Sequence, residues 1–532
     1  MQIRKPWLTA PLAAGLSAGL LVGCGNASSG NGAGNTTGTG KPVTMGMSDE
    51  IKATDPASGY DPGSWLLFNN VFQSLMAFPK GGSEPAPEAA ESCAFDEGST
   101  VYRCTLRDGL TFSNGNALTS KDVKYSFERT LKINDDAGPA VMLSSIKSIE
   151  TPDDQHVVFR LKVPDATFPS KIASGAGSIV DHREYPADAL RSDHKAVGSG
   201  PYRLDSFDKG QAVFTVNNGY HGTAKIKNTG MTLKLFHDDQ KALGESLKKG
   251  EIDLAYRGLD AKEIARTETS ALSGDNPVEP VEGSSAEVHH LVFNTKHPVA
   301  GKLGVRRAIA YLVDRDALVR DVYRSTATPL YSIVPAGISG HNTAFFNRYG
   351  SRPQPAKAKQ ALRDEGITGK VKLTLWATPS RYGPSTVQEF KALAQQLNRS
   401  GLFDADVKSV GEEQYEKDIA AGKYGVYVKG WIPDYPDADN FTQPFFGKGN
   451  VISSPYENTE ITGRILPGAA ATADRGSTSE EFGRLQNLVA EDVPILPLWQ
   501  GKQYAVARNS VAGLEWTLDS STVFRFWEIS KV

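Results

Sequence analysis

Apolar positions along the chain follow two periods. Runs at 43–47, 157–163, 202–207, 212–217, 233–236, 252–256, 371–376 and 426–430 are continuous or alternate by two between turn residues, and they predict strands. Segment 289–295, His-His-Leu-Val-Phe-Asn-Thr, predicts another. At 119–131 the spacing changes to four. Val123, Phe127 and Leu131 share a face behind Thr119 and Asp122, a capping-box spacing, so a helix is expected there. Val305, Ala308, Ile309, Leu312, Val313, Val319 and Val322 form one stripe of a helix expected to run unbroken over 305–322. Segments 65–78, 240–249 and 386–397 carry the helical period too. Strands and helices alternate on both sides of Val-Gly-Ser-Gly-Pro at 197–201, which predicts an α/β fold of two lobes with a ligand cleft between them.

Length and charge narrow the classes. A chain of 532 residues exceeds one ordinary core, since domains run to about 100 to 200 residues, and two or three domains are expected. With 39% apolar residues it is neither disordered nor a disulfide-dense scaffold, and 58 basic against 61 acidic residues leave no basic excess for a nucleic-acid partner.

Residues 1–24 divide into a cationic head with Arg4 and Lys5, an apolar stretch from Trp7 to Val22, and Leu21, Val22, Gly23 and Cys24. This is the layout of a secretory signal peptide. At about 16 residues, interrupted by Pro11, the stretch is shorter than the roughly 18 of a spanning helix. Leu-Val-Gly-Cys resembles the lipobox of bacterial lipoproteins. That resemblance implies that Cys24 is lipidated and becomes the first mature residue, anchored on the extracytoplasmic face of the cell membrane. Residues 25–41 are Gly, Asn, Ala, Ser and Thr with no charge before Lys41, the composition of a flexible tether; its reach is on the order of 20 to 25 Å.

Two cysteines remain. Cys93 and Cys104 flank Asp-Glu-Gly-Ser at 96–99, and in a hairpin turning at Gly98 and Ser99 they face each other. Export favours a cross-strand disulfide; the alternative is a pair of buried thiols. Catalytic chemistry is hard to find. The sequence has no His-Glu-x-x-His, no Walker A loop and no Gly-x-Ser-x-Gly elbow, and Ser-x-x-Lys matches such as those at 144–147 and 246–249 lack companion motifs. His289 and His290 are neighbours on a strand, so they point to opposite faces and cannot chelate one ion. No catalytic residue, metal or cofactor is expected.

One cluster stands out, Gly-Trp-Ile-Pro-Asp-Tyr-Pro-Asp-Ala-Asp-Asn-Phe at 430–441. Pro433 and Pro436 forbid a regular element, so a rigid loop at a strand end is expected, with Asp437 and Asp439 capping the helix that follows and Trp431 and Tyr435 packed as aromatics. This loop, segment 105–130, segment 198–220 and segment 293–335 with its Val-Arg-Arg-Ala-Ile-Ala-Tyr-Leu-Val-Asp-Arg core resemble, as an ordered set, the peptide and nickel class of extracellular solute-binding proteins of ABC importers (solute-binding family 5).

The resemblance implies a periplasmic-binding-protein type II-like fold of two α/β lobes with a hinge and an extra small subdomain. Lobe I would comprise 42–79, 198–284 and 503–532, the subdomain 80–197, and lobe II 285–502. In oligopeptide and dipeptide binders the acidic residue of the Trp-x-x-Asp loop pairs with the ligand's α-amino group; here it is Asp434, three residues after Trp431. An arginine in the loop after the Leu-Trp-Ala strand grips the carboxylate in dipeptide binders, and Arg381 lies in that loop, shifted by about a residue. Tyr60, Trp65, Phe293 and Asn294 fall where relatives line the cleft. The function implied is capture of short peptides by a monomeric lipoprotein that delivers them to a permease driven by separate ATPase subunits. The alternatives are a receptor for a nickel chelate, haem or an oligosaccharide, or a ligand-sensing lipoprotein uncoupled from transport.

Overall fold

A computed structural model describes residues 40–532, apart from 238, 272–276, 379–381, 383–384 and 453. The signal peptide, Cys24, nearly all of the tether and Arg381 lie outside the described residues.

Eleven strands make the main sheet. In spatial order they are Phe403–Ser409, Val371–Ala377, Val426–Trp431, Val278–Phe293, Ile495–Arg508, Leu254–Tyr256, Val43–Met47, Gly230–Leu235, Gln211–Val216 and Tyr202–Phe207, with Ala327–Pro329 added beside Ile495–Arg508. Two of them are long, at 16 and 14 residues, and pair antiparallel from Val278 with Arg508 to Val292 with Ile495. Their ends belong to different cores.

At one end Leu291, Val292, Phe293, Ile495 and Leu496 pack with the apolar faces of helices Leu303–Leu312, Thr386–Arg399 and Ser479–Asp492. At the other, Ala505 and Ala507 pack with Val43, Met45, Leu67, Phe68, Phe214, Leu233 and Phe526. Val43, Met45 and Met47 are buried, as expected of a central strand with parallel neighbours on both sides. Each buried Val, Leu or Met contributes roughly 1.5 to 3 kcal/mol. Between the two cores the ladder slips, with a register shift between Ser284 and Val288. The lobes are thus joined by continuous strands that bend where an irregular ladder bends most easily.

A third core lies under a separate antiparallel sheet, in the order Ala90–Glu97, Val101–Leu106, His156–Leu161, Ile146–Glu150. Helix Ser120–Ile133 covers it with Val123 and Phe127, and its first turn is fixed as the capping-box spacing predicts: the buried Asp122 carboxylate accepts from the Thr119 backbone N–H at 2.8 Å. Cys93 and Cys104 are register partners and form the disulfide, with Cα atoms 4.1 Å apart. Closing so short a loop stabilises by about 2 to 3 kcal/mol in the chain-entropy view.

Two helices differ from the periodicity. The pattern at 65–78 is a helix only over Pro62–Val71, where Asp61 accepts from Ser64 N–H and Pro62 occupies the first turn. Beyond it Phe72, Leu75, Met76 and Phe78 are still buried, but on a backbone that leaves the helix and, after the short strand Met76–Ala77, carries the chain into the third core. The stripe at 305–322 is buried throughout, yet the helix stops at Leu312 and Val313 is extended. Asp314 restarts it by accepting from Ala317 N–H, a competing local bond that a helix interior does not offer. A π-turn then spans Val319–Tyr323. Among the described residues no helix is long and apolar enough to cross a membrane.

Candidate functional site

Strand direction defines the cleft. Leu254–Tyr256 pairs with Ala507 to Ala505, so it advances along Ile495–Arg508 towards lobe II, and Val43–Met47 runs parallel to it. The loops after Met47 and Tyr256 therefore leave lobe I facing lobe II. Val426–Trp431 pairs with Phe293 to Val288 and advances the opposite way, and Val371–Ala377 runs parallel to it. The loops after Ala377 and Trp431 therefore face lobe I. Residues far apart in sequence meet where these loop sets oppose one another.

The meeting point is Asp434. Its Oδ1 accepts from the Tyr60 hydroxyl at 2.9 Å, a bond that joins the first loop of lobe I to the loop of lobe II. Its Oδ2 accepts from Asn440 Nδ2 at 3.0 Å, and its own backbone N–H donates to Asn440 Oδ1 at 2.9 Å. Asn440 Oδ1 also accepts from Trp431 Nε1 at 2.9 Å, so one buried amide fixes both residues of the Trp-x-x-Asp loop. Every donor to Asp434 is neutral. No Lys, Arg or His among the described residues forms an ion pair with it. Burial raises its pKa, opposed by the hydrogen bonds from Asn440 and Tyr60 and by the more distant Lys171 charge. Burial and the facing carboxylate likewise push the Tyr60 hydroxyl well above the ordinary tyrosine value.

The other carboxylates of the loop are spent on structure. Asp437 caps the turn Ala438–Phe441 by accepting from Asp439 N–H, and it holds Arg475 through two bonds of 2.8 Å. Asp439 is buried and accepts from the Tyr435 hydroxyl at 3.1 Å; burial lifts its pKa to about 6, with Asp437 adding and Lys171 and Arg475 opposing. Tyr435 packs in the third core and Trp431 against Phe445, as expected of core aromatics.

The lobe I side is equally built. Trp65 donates Nε1–H to Gly59 O at 3.0 Å, and its ring lies 5.5 Å from that of Tyr60. The loop that carries Tyr60 is held by Asp55, whose carboxylate takes Arg129 at 2.8 and 2.6 Å in a buried pair. Behind the lobe II loops, Glu389 is fully buried and accepts from Tyr323 Oη and Trp499 Nε1, with His289 Nδ1 3.0 Å away. His290 points to the opposite face, towards Phe445. His289 pairs in register with Gly430, where an added Cβ would come within 3.0 Å of Tyr382 and 3.1 Å of His289. A side chain at this position would press on both rings, and glycine avoids that crowding.

Two expected residues lie elsewhere. Phe293 is buried in the lobe II core, at the end of its strand remote from Val288 and Trp431. Asn294 uses its side chain locally, donating to Gly422 O and accepting from Lys296 N–H. Strand direction explains the difference: these positions close the far end of lobe II, away from the cleft. Asn440 had no separate signal beyond its place beside Asp439, because its role depends on the fold of the loop.

The described residues hold one group able to approach a metal ion, Asp122, Asp181 and His182, and it lies in the small subdomain. Asn114, Asn116 and Arg183 already donate to Asp181, and His182 Nδ1 lies 2.6 Å from Asp122 Oδ1.

The model for bacterial extracellular solute-binding proteins, family 5 middle region, matches residues 84–453. The probable D,D-dipeptide-binding periplasmic protein DdpA of Escherichia coli is 26% identical over 92% of this chain and 94% of its own length. The dipeptide-binding protein of Pseudomonas aeruginosa is 25% identical over 95% and 96%. Among solved structures, the periplasmic binding protein DppA of Helicobacter pylori in complex with the peptide STSA has a TM-score of 0.76 at 22% identity, covering 93% of this chain and 99% of that one. With this match over most of its length and its two hinged α/β lobes of periplasmic-binding-protein type II-like form, the chain belongs to family 5 of the bacterial extracellular solute-binding proteins.

Proposed function

We propose that this protein binds short peptides in the interlobe cleft and delivers them to the permease of an ABC importer. The observation that carries the reading is Asp434, a half-buried carboxylate at the lobe interface held, among the described residues, by neutral donors alone. Such a group is costly unless a cation joins it, and a peptide's α-ammonium supplies one as the lobes close and water leaves. Tyr60, Trp65 and Trp431 would wall the ammonium site from both lobes. Relatives named for dipeptides, similar over nearly their whole length, support the same cargo.

In this reading lobe I is 42–79, 198–284 and 503–532, lobe II is 285–502, and 80–197 is the subdomain. The three cores support that division in outline, with Val180, Tyr185 and Ala196 of the subdomain packed in the lobe I core and Tyr435 and Val523 in the third. Cys24 carries the lipid anchor and 25–41 the tether, so the monomeric receptor works at the outer face of the membrane.

Native mass spectrometry of the soluble body should find co-purified peptides. Titration should then show peptides with free N-termini binding far more tightly than their acetylated forms. Equal affinity for the two would remove Asp434 from the site. For the anchor, Cys24→Ala should release the protein from the membrane fraction or block processing; unchanged anchoring would overturn that part.

A further inference from the structure

The lobe I wall of the cleft carries a charge pair that the Asp434 site does not use. Met47 and Tyr256 end neighbouring parallel strands, and in the loops that follow Arg257 Nε pairs with Asp49 Oδ2. Both strand ends point at lobe II by the register given above. Open α/β sheets bind ligands at just this place, beyond the carboxyl ends of parallel strands. The Arg257 and Asp49 side chains are 33% and 27% exposed, so the pair is neither sealed in a core nor free in solvent.

The backbone is committed to this arrangement. Arg257 has a φ of 55°, in the left-handed region, and Gly258 follows at 97°; a Cβ on Gly258 would lie 2.2 Å from Ser48 Oγ. A non-glycine residue holds that conformation only where its surroundings impose it. The guanidinium is only partly used. Its Nε faces Asp49, no second carboxylate of the described residues lies within ion-pair distance, and the Tyr256 hydroxyl lies alongside. Glu287 on the crossing strand adds negative charge from farther off. Its N–H groups form the planar fork that fits a carboxylate.

We propose that Arg257, in place of the loop arginine to which the resemblance points, is the anion-binding residue of the cleft, taking the C-terminal carboxylate of the peptide whose ammonium Asp434 holds, while Asp49 keeps the guanidinium compensated when the cleft is empty. The proposal rests on the peptide reading. It also makes Asp49 a competitor of the ligand, whereas a purely structural pair would make the two residues equal partners. The sign of the response to Asp49 separates these cases.

The test is calorimetric titration of the folded mature protein with di-, tri- and tetra-alanine, each free, N-acetylated, C-amidated or blocked at both ends. The wild type should favour free acid over amide by roughly ten- to a hundredfold, as expected of hydrogen bonds to a charged group. Arg257→Met should reduce that ratio to about one and leave the preference for a free N-terminus intact. Asp49→Asn should bind the free acid at least as well as the wild type. Equal binding of acid and amide by the wild type overturns the proposal and leaves the Asp434 reading standing. So does loss of affinity for both forms in Asp49→Asn. If Arg257→Met does not fold, the Asp49→Asn result decides alone. No binding of any form sinks the peptide reading, and this proposal with it.

Discussion

Asp434 and Asp437 are three residues apart on one loop, and the fold treats them in opposite ways. Asp437 has Arg475 against both oxygens and a backbone N–H to cap. Asp434 has a hydroxyl, an amide and, among the described residues, no cation. The same loop thus carries a finished ion pair and an unfinished one. In a half-buried setting the difference assigns the roles: a compensated carboxylate holds the fold, and an uncompensated one is held ready by the fold for something else. Residue type and burial alone do not make this distinction, since both are half-buried acids in a proline-stiffened turn.

Exchanging each for asparagine is the sharpest way to break the comparison. Asp434→Asn should cost peptide affinity on the order of 3 kcal/mol, a hundredfold or more, because the ammonium is then buried unpaired. It should also stabilise the ligand-free protein slightly. A carboxylate whose pKa folding raises weakens the fold as pH rises through its titration, and an amide escapes that penalty. Asp437→Asn should do the reverse, lowering the unfolding free energy by about 2 to 3 kcal/mol through the unpaired Arg475 while peptide affinity of the folded protein stays near wild type. Titration calorimetry and denaturant unfolding read both. Should Asp437→Asn be the variant that loses binding, the assignment is inverted.

Next in size is a control that meets the loop only through Tyr435, which packs in the same core as the hairpin. Replacing Cys93 and Cys104 with serine should cost about 2 to 3 kcal/mol of stability and leave peptide affinity unchanged, since the hairpin lies in the third core. A large affinity loss would mean that the small subdomain shapes the cleft more directly than its separate core suggests. A smaller effect concerns Asp439, whose pKa of about 6 lies above the unfolded value. Stability from this group is greatest when it is protonated and falls as pH rises between about 4 and 6. Asp439→Asn should flatten that part of the stability profile, measured by unfolding at several pH values.

Much of the frame is legible in the sequence because burial writes itself as period. Val123, Phe127 and the stripe from Val305 to Val322 are buried where the spacing puts them, and Thr119 with Asp122 marks a helix start. What period cannot show is where backbone hydrogen bonding stops while burial continues, as at Val313 and from Phe72 to Phe78. The site divides in the same way. Trp431 and Asp434 stand out as a motif, and Tyr60 reaches Asp434 across the interface. Phe293 and Asn294 fall at the wrong end of their strand, and the Asn440 amide and the Asp49–Arg257 pair exist only after distant loops are brought together. Strand direction, which one sequence does not state, decides all of these.

The finest test concerns the hydrogen bond that crosses the lobes. Tyr60 stabilises the ionised form of Asp434, so it opposes the upward pull of burial on that carboxylate. Peptide binding needs the ionised form, and affinity should therefore fall as pH is lowered through the Asp434 titration. Tyr60→Phe removes one donor and keeps the ring beside Trp65. It should move the midpoint of that fall to higher pH, with affinity at neutral pH changed by no more than about 1 kcal/mol, the usual net worth of one hydrogen bond. Binding measured from pH 4 to 8 on wild type and variant reads the shift. Overlapping profiles would show that Tyr60 touches Asp434 without tuning it, and the neutral shell around the carboxylate would then rest on Asn440 alone.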